Sequence, residues 1–307
     1  QAAEGLGPDD KHPAGLARAL LDEAQTWAQR HDQSLTLKFG QAVDCMARSD
    51  DGWAAWGAGD DSSPAKPLAQ APHLVVTSAN GVNHLLQSLP ADQAVPEQLL
   101  TAIRGQITAL SLDSTQQYAR APHLPVAGSG YALTLPDGRL LCGATTQHHD
   151  DCPDVRLKDH TYNLGQAWKL GAIQAESNEQ AESLIQTLAQ DPTTWGRTGW
   201  RASTPDRLPL VGALPLSAER LAKLTQTSPH GGKLRLDQTR MIHRERDVHG
   251  GLFILSGLGS RGITWSVLAG QLLAHWMAGT PCPVEADLRD ALDPARFVAR
   301  SHSKAAK

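Results

Sequence analysis

One glycine-rich stretch combines the features that a cofactor contact needs. Residues 252–255 (LFIL) form a short apolar run bounded by glycine, which predicts a buried strand. Residues 263–277 continue without a breaker and are apolar on nearly every face, which predicts a buried helix. Between them Gly257, Gly259 and Gly262 have the spacing G-x-G-x-x-G. Glycine permits a tight turn and close approach, and a helix N-terminus attracts phosphate or other electron-rich groups. The stretch therefore predicts either a cofactor contact or tight packing of the helix on a sheet.

The position of this stretch favours a closing strand and helix over an opening pair. A dinucleotide-binding βαβ unit continues into a second strand with an acidic residue about twenty residues further on. Here Pro281, Cys282 and Pro283 follow the helix instead. The spacing is therefore not used as the ordinary dinucleotide fingerprint.

Two arginines stand where a negatively charged ligand is expected. Arg201 ends the run Gly199-Trp200-Arg201 and precedes a proline-rich turn, so a strand and a turn hold it for bidentate contact with a carboxylate. Arg261 lies inside the glycine turn, where the bare backbone lets an anionic ligand approach. The alternatives are a surface ion pair for Arg201 and a solvated turn residue for Arg261.

No metal centre is predicted. The run HHDDC at residues 148–152 contains metal-binding side chains, but consecutive residues point in different directions. The 4 cysteines are scattered without C-x-x-C spacing, which argues against a zinc site or a disulfide framework and suits a reducing cytoplasm. They are Cys45, Cys142, Cys152 and Cys282.

Composition indicates a globular protein without a membrane partner. The 307 residues are 40% hydrophobic and 20% charged, with no apolar run of membrane-spanning length and no recognisable signal peptide, so a cytoplasmic location is expected. The net charge of −4 disfavours broad nucleic-acid binding. Any such contact is expected at local basic patches, residues 240–246 and the basic tail 296–307, although such tails are more often disordered.

The first hundred residues indicate α/β architecture. Residues 13–30 have the apolar stripe of an amphipathic helix, and residues 34–39 alternate like a strand. Residues 42–47 and 53–56 predict a hairpin. Residues 73–77 (HLVVT) predict a buried strand of the parallel type, which ends at Ser78-Ala79-Asn80-Gly81.

A β-rich part follows. Short strand candidates between residues 104 and 146 are separated by proline and glycine turns, which predicts an antiparallel sheet. One or two helices are expected in 164–188, a strand plus loop in 195–214, and a polar connection in 216–249. We expect an α/β domain over 1–103, a substrate domain over 104–215, and a return to the first domain over 250–307. Two domains imply a cleft, which is where ligands are usually bound.

Several of these runs resemble one family. They match, in order and spacing, the C-terminal flavin module of the MnmC family of bifunctional tRNA 5-methylaminomethyl-2-thiouridine biosynthesis proteins, over about residues 13–300. The Leu-Gly-Ser-Arg-Gly turn and the Leu-Asp-Pro-x-Arg-Phe ending are the specific elements, and Thr-Pro-Asp-x-Leu-Pro is shared with D-amino-acid-oxidase-like flavoenzymes generally. The matching runs are GWR at 199–201, TPDRLPLVG at 204–212, GLGSRG at 257–262, LDPARF at 292–297, RGQ at 104–106, GY at 130–131 and CGAT at 142–145.

The resemblance implies a fold and an activity. The fold is a Rossmann-like FAD-binding domain, incomplete at its N-terminus, with an inserted antiparallel substrate domain. The activity is FAD-dependent removal of the carboxymethyl group from 5-carboxymethylaminomethyl-uridine at the tRNA wobble position, which leaves the aminomethyl base and releases glyoxylate. In the complete protein, an N-terminal methyltransferase module would use S-adenosylmethionine to methylate the aminomethyl group.

The resemblance also implies site residues. Arg201 and Arg261 would bind the substrate carboxylate, and Tyr131 would close the substrate side. Val43 is expected near the adenine of FAD. The other expected cofactor contacts are Ser78, Ala79, Asn80, Gly81, Gly257, Gly259, Ser260, Arg261, Gly262, Ile263 and Thr264.

One departure and two alternatives accompany the resemblance. The family's opening fingerprint, a strand with G-x-G-x-x-G and an acidic residue, is missing from the sequence, which predicts a truncated module that by itself does not bind FAD tightly. The alternatives are a small-molecule amine oxidase of the glycine or sarcosine type and a non-catalytic tRNA-binding remnant.

Overall fold

The computed structural model describes residues 13–57, 66–111, 120, 122–227, 237–244, 246–247 and 250–305. The chain forms two compact units, one of Gln1–Leu37 with Ile103–Trp200 and the other of Lys38–Ala102 with Arg201–Lys307. The predicted substrate segment 104–215 is divided between the two units, because residues 201–215 lie in the same unit as residues 250–307. The assignment of each segment to cofactor or substrate therefore stays a prediction.

Helices and strands occur in both units of the described residues. The helices are α1 (Pro13–Arg30), α2 (Val82–Gln87), α3 (Leu157–Lys169), α4 (Asn178–Gln190), α5 (Ala218–Thr227), α6 (Gly262–Ala278), α7 (Ala286–Leu292) and α8 (Arg296–Ala305). The strands are β1 (Cys45–Ser49), β2 (Gly52–Trp56), β3 (Ala69–Ala71), β4 (His73–Val76), β5 (Thr101–Leu110), β6 (Val126–Ala127), β7 (Tyr131–Thr134), β8 (Leu140–Gly143), β9 (Gln147–His148), β10 (Trp195–Ser203), β11 (Leu210–Ala213), β12 (Arg246–Asp247) and β13 (Gly250–Ser256).

The first unit is built on an antiparallel sheet. Its strand order is β10-β5-β8-β7-β6, with β9 also paired to β5. Strand β8 pairs antiparallel with both β5 and β7, as the turn-separated strand candidates predicted. Helices α3 and α4 pack beside this sheet and share a core with it, which includes Leu140, Leu164 and Ile185. The prediction of one or two helices over 164–188 is confirmed as two.

A buried histidine makes the stability of this unit depend on pH. His160 on α3 is 6% exposed, and its Nδ1 lies 2.9 Å from Thr108 Oγ1 on β5. Burial lowers the pKa of His160, and the neighbouring Asp159 only partly opposes that effect. In the unfolded chain the imidazole binds a proton more readily, so protonation favours unfolding.

We therefore expect the free energy of unfolding to fall as the pH drops below 6.5, the ordinary imidazole value. In His160→Gln this part of the pH dependence should disappear, as measured by urea unfolding between about pH 7 and pH 5. His148→Gln, at an exposed position of the same unit, is the control. Equal slopes in wild type and His160→Gln would contradict the expectation.

The second unit is built around a parallel strand pair. Strand β13 pairs in parallel with β4 and antiparallel with β11 and β12. The apolar runs of β4 and β13 place Val76, Leu252 and Ile254 in one core. The predicted parallel strand and the predicted closing strand are thus both confirmed, and the structure shows that they are neighbours. Strands β1 and β2 form the predicted hairpin, and β3 extends it.

Three sequence-based expectations are wrong. Residues 34–39 form no strand, and Phe39 is 80% exposed, because alternation alone does not supply a pairing strand. Helix α6 is not buried on all faces: it packs on β11 and β13, while Ile263 and Val267 are 56% and 63% exposed. The basic tail is not disordered through residue 305, since Arg296–Ala305 is helix α8.

Candidate cofactor and substrate site

Two of the predicted cofactor turns meet at one edge of the second unit's sheet. Strands β4 and β13 run in parallel, so the turn at residues 78–81 and the turn at 257–262 both follow carboxyl ends. Ser256 Oγ, at the end of β13, donates to the carbonyl oxygen of Ala79 at 3.4 Å. Carboxyl ends of parallel strands are the usual ligand site of open α/β sheets. The structure thus brings together residues that lie far apart in sequence.

The glycines of the closing turn have different structural needs. Gly257 has φ 71° and Gly259 has φ 57°, values that favour glycine. A Cβ on Gly257 would lie 3.0 Å from Thr204 Cγ2, so packing also restricts this position. Gly262 has neither restriction, because its nearest neighbour would be Leu258 Cδ1 at 3.8 Å. The fold therefore does not require glycine at this position.

The N-terminus of α6 presents backbone N–H groups that have no acceptor among the described residues. Arg261 occupies the N-cap position, and no side chain caps the helix there. The first N–H groups of any helix lack intrahelical acceptors, and here they belong to Gly262, Ile263 and Thr264. Together with the partial positive charge of a helix N-terminus, these donors suit an electron-rich group such as the pyrimidine edge of a flavin. The residues present therefore fit the closing part of an FAD site.

The end of β10 lies beside this turn. The N–H of Gly259 donates to the carbonyl oxygen of Ala202 at 2.9 Å, and Ser203 forms an antiparallel bridge with Leu258. Arg201 precedes Ala202 on the strand and is partly buried. The backbone of the predicted carboxylate-binding strand is thereby fastened to the predicted cofactor turn.

Arg261 is oriented by a carbonyl oxygen. Its side chain is on the surface, and Nη2 donates to the carbonyl oxygen of Arg207 at 2.6 Å. Arg207 itself has φ 59°, which is unusual for a residue with a side chain. A guanidinium has five N–H donors, so this bond leaves Arg261 able to bind an anion.

The loop that contains Arg207 is fixed by an ion pair that the sequence reasoning missed. Arg296 on α8 donates Nε to Asp206 Oδ2 and Nη2 to Asp206 Oδ1, both at 3.0 Å. Burial alone would raise the pKa of Asp206, but hydrogen bonds from Arg296 and Arg300 outweigh it and hold that pKa below its usual range. The runs TPDRLPL and LDPARF thus owe their residue types partly to contact with each other.

Two of the predicted site residues, Val43 and Tyr131, lie outside the two cofactor turns. Val43 lies in the second unit, 41% exposed, in the segment before β1. Tyr131 lies in the first unit on β7, opposite Gly143 of β8, and is partly buried. Their roles stay predictions.

Part of the predicted basic patch is not available to a nucleic acid. Arg244 is paired with Asp293 at 2.8 Å, and its side chain is 10% exposed. Arg240 is 54% exposed but is paired with Asp290. In the tail, the side chain of Arg296 is only 2% exposed. The patches were predicted from charge alone, which does not reveal partners in the fold; Glu245 lies outside the described residues.

The fold is shared with solved oxidases. The chain aligns with iminodiacetate oxidase from Chelativorans sp. BNC1 at a TM-score of 0.54 and 20% identity, covering 89% of this chain and 57% of that one. It aligns with glycine oxidase from Geobacillus kaustophilus at a TM-score of 0.52 and 16% identity, covering 90% and 56%. The predicted fold class, a flavoenzyme fold with an antiparallel β-rich part, is confirmed.

The chain belongs to the DAO family of FAD dependent oxidoreductases, whose sequence profile matches residues 8–276. FAD is thus its cofactor, as predicted. It is 48% identical over 231 residues to the tRNA 5-methylaminomethyl-2-thiouridine biosynthesis bifunctional protein MnmC of Methylibium petroleiphilum, covering 75% of this chain and 32% of that protein. It is 35% identical to MnmC of Burkholderia cenocepacia, covering 94% and 38%. The resemblance seen in the sequence is confirmed, and the chain spans about a third of the length of these relatives.

The described helices include none that is long and apolar enough to span a membrane.

Proposed function

We propose that the chain is the oxidoreductase module that removes the carboxymethyl group from 5-carboxymethylaminomethyl-uridine at the wobble position of tRNA. The observation that carries this proposal is the 48% identity to a protein of tRNA 5-methylaminomethyl-2-thiouridine biosynthesis, together with the FAD family. The substrate group is a glycine joined to the base through its nitrogen. Loss of two hydrogens from the C–N bond gives an imine, and water then releases glyoxylate and leaves the aminomethyl base.

The site residues have separate tasks in this reaction. FAD, when bound, accepts the hydride from the carbon next to the secondary amine. Arg201 and Arg261 bind the substrate carboxylate and so fix which carbon is presented. The N–H groups of Gly262, Ile263 and Thr264 stabilise negative charge on the electron-rich edge that they contact. The turn at residues 78–81 forms the other border of the cofactor contact.

Two partners follow from the same proposal. The substrate is tRNA, which would contact local basic patches, because the net charge of −4 offers no broad cationic surface. The second partner is the methyltransferase module of a bifunctional protein, which acts on the aminomethyl product.

The test is an anaerobic reaction with tRNA that carries the modified base. The chain is first supplied with FAD, and bound-flavin bands in its visible spectrum are recorded. We expect loss of the oxidised-flavin bands on addition of this tRNA, with glyoxylate released in equal amount, and no loss with unmodified tRNA. Bleaching by free glycine or sarcosine at comparable concentration would instead favour a small-molecule amine oxidase. A flavin-free chain that still shifts tRNA on a gel would favour a binding remnant.

A further inference from the structure

The structure assigns a positioning role to the Asp206–Arg296 ion pair: we propose that it holds the Arg207 carbonyl oxygen that orients Arg261 towards a carboxylate. This inference rests on the proposed function for the identity of that carboxylate. It adds two residues to the site, neither of which contacts substrate.

The guanidinium of Arg296 is bonded to several groups besides Asp206. Besides its two bonds to Asp206, Nη1 donates to the carbonyl oxygens of Pro209 and Asp293 at 3.0 and 3.2 Å. Nη2 also donates to the carbonyl oxygen of Leu208 at 2.8 Å. All five N–H donors of this buried guanidinium are therefore used, and most of them bind the loop that contains Arg207. A planar guanidinium whose five N–H donors are all bonded fixes the conformation of this loop, and the ammonium group of a lysine cannot make the same set of bonds.

The carboxylate of Asp206 also accepts hydrogen bonds from within its own loop. Asp206 Oδ1 accepts the N–H of Leu208 at 3.2 Å, and the hydroxyl oxygen of Thr204 lies 3.0 Å from Asp206 Oδ1 and 2.7 Å from the carbonyl oxygen of Leu208. The N–H of Arg207 donates to the carbonyl oxygen of Thr204 at 3.0 Å. Residues on both sides of Arg207 are thus tied to the carboxylate, and φ 59° at Arg207 is imposed by that arrangement.

A hydrogen bond from Arg261 joins the loop to the site. The carbonyl oxygen of Arg207 accepts from Arg261 Nη2 at 2.6 Å, a charge-assisted bond. Arg300 also contacts Asp206, at 2.6 Å, but it is 49% exposed and screened by solvent. The buried pair, not the exposed one, is therefore the element that determines where the Arg207 carbonyl points.

The experiment follows the side-chain nitrogen signals of Arg261 by NMR in the FAD-free chain. They are assigned by their loss in Arg261→Gln. We expect separate Nη signals in wild type, because the bond to Arg207 hinders rotation, and averaged signals in Asp206→Asn and in Arg296→Lys. Titration with sarcosine, a carboxylate probe with a secondary amine, should shift these signals, with affinity about tenfold weaker in both variants.

Arg240→Lys is the control, since it also disturbs an arginine–aspartate pair of this unit, while its partner Asp290 is not bonded to Arg296 or to the Arg207 loop among the described residues. It should leave the Arg261 signals and the sarcosine affinity unchanged. If the Arg261 signals stay separate in folded Asp206→Asn or Arg296→Lys, the positioning role is wrong. If the signals of wild-type Arg261 do not shift with sarcosine, the substrate role of Arg261 in the proposed function is wrong. The positioning role is then still decided by whether the Nη signals of Arg261 become averaged in Asp206→Asn and Arg296→Lys.

Discussion

Gly257→Ala is expected to destabilise the second unit by about 2–4 kcal/mol. The residue has φ 71°, a left-handed conformation that costs a residue with a Cβ about 1–2 kcal/mol. The new methyl group would also lie 3.0 Å from Thr204 Cγ2 and 3.3 Å from Leu100 Cδ2, closer than carbon atoms pack without displacement. Urea unfolding of the chain measures the difference.

Gly262→Ala is the matched control five residues further on in the same turn. Its Cβ would have 3.8 Å to the nearest atom, and the position starts a helix, so stability should stay within about 1 kcal/mol of wild type. The same methyl group should weaken FAD binding, because it covers the backbone that the cofactor approaches. Similar unfolding free energies for Gly257→Ala and wild type would show that the turn relaxes around the added methyl group. Unchanged FAD affinity in Gly262→Ala would remove this turn from the cofactor site.

The sequence predicted best what local chemistry determines. The apolar run of β4 and the glycine turn after β13 were recognisable because each depends on neighbouring residues: the short apolar run Leu74-Val75-Val76 in one, and glycine spacing in the other. Their meeting at one sheet edge was not predicted, because the uniform hydrophobicity of β4 indicates a parallel strand and not which strand pairs with it.

The sequence could not reveal what depends on distant partners. Asp206 and Arg296 are 90 residues apart, and no periodic pattern in the sequence links the two positions. The exposure of Val267 on α6 depends on what covers that helix, and hydrophobicity alone predicted burial. The pairing of Arg244 with Asp293, which withdraws part of the predicted basic patch from the surface, could not be predicted for the same reason.

Arg201→Gln is expected to lower kcat/KM for the modified tRNA about 100-fold while leaving the fold intact. A charge-assisted hydrogen bond to a carboxylate contributes about 1.5–3 kcal/mol, and each 1.4 kcal/mol is about a factor of ten in rate. Arg201→Lys keeps the charge but loses the planar fork, so about a tenfold loss is expected. Steady-state kinetics on the FAD-loaded chain, with unfolding curves for each variant, separate catalysis from stability.

Arg197→Gln is the control that isolates position from charge. Arg197 lies on the same strand, β10, and because side chains alternate along a strand it shares a face with Arg201 while being exposed. Both substitutions remove one positive charge, so any general loss of attraction for tRNA should appear equally in both. A loss confined to Arg201→Gln therefore assigns the carboxylate contact to Arg201. Equal kinetics for the two variants would leave Arg261 as the cation that the proposed reaction requires.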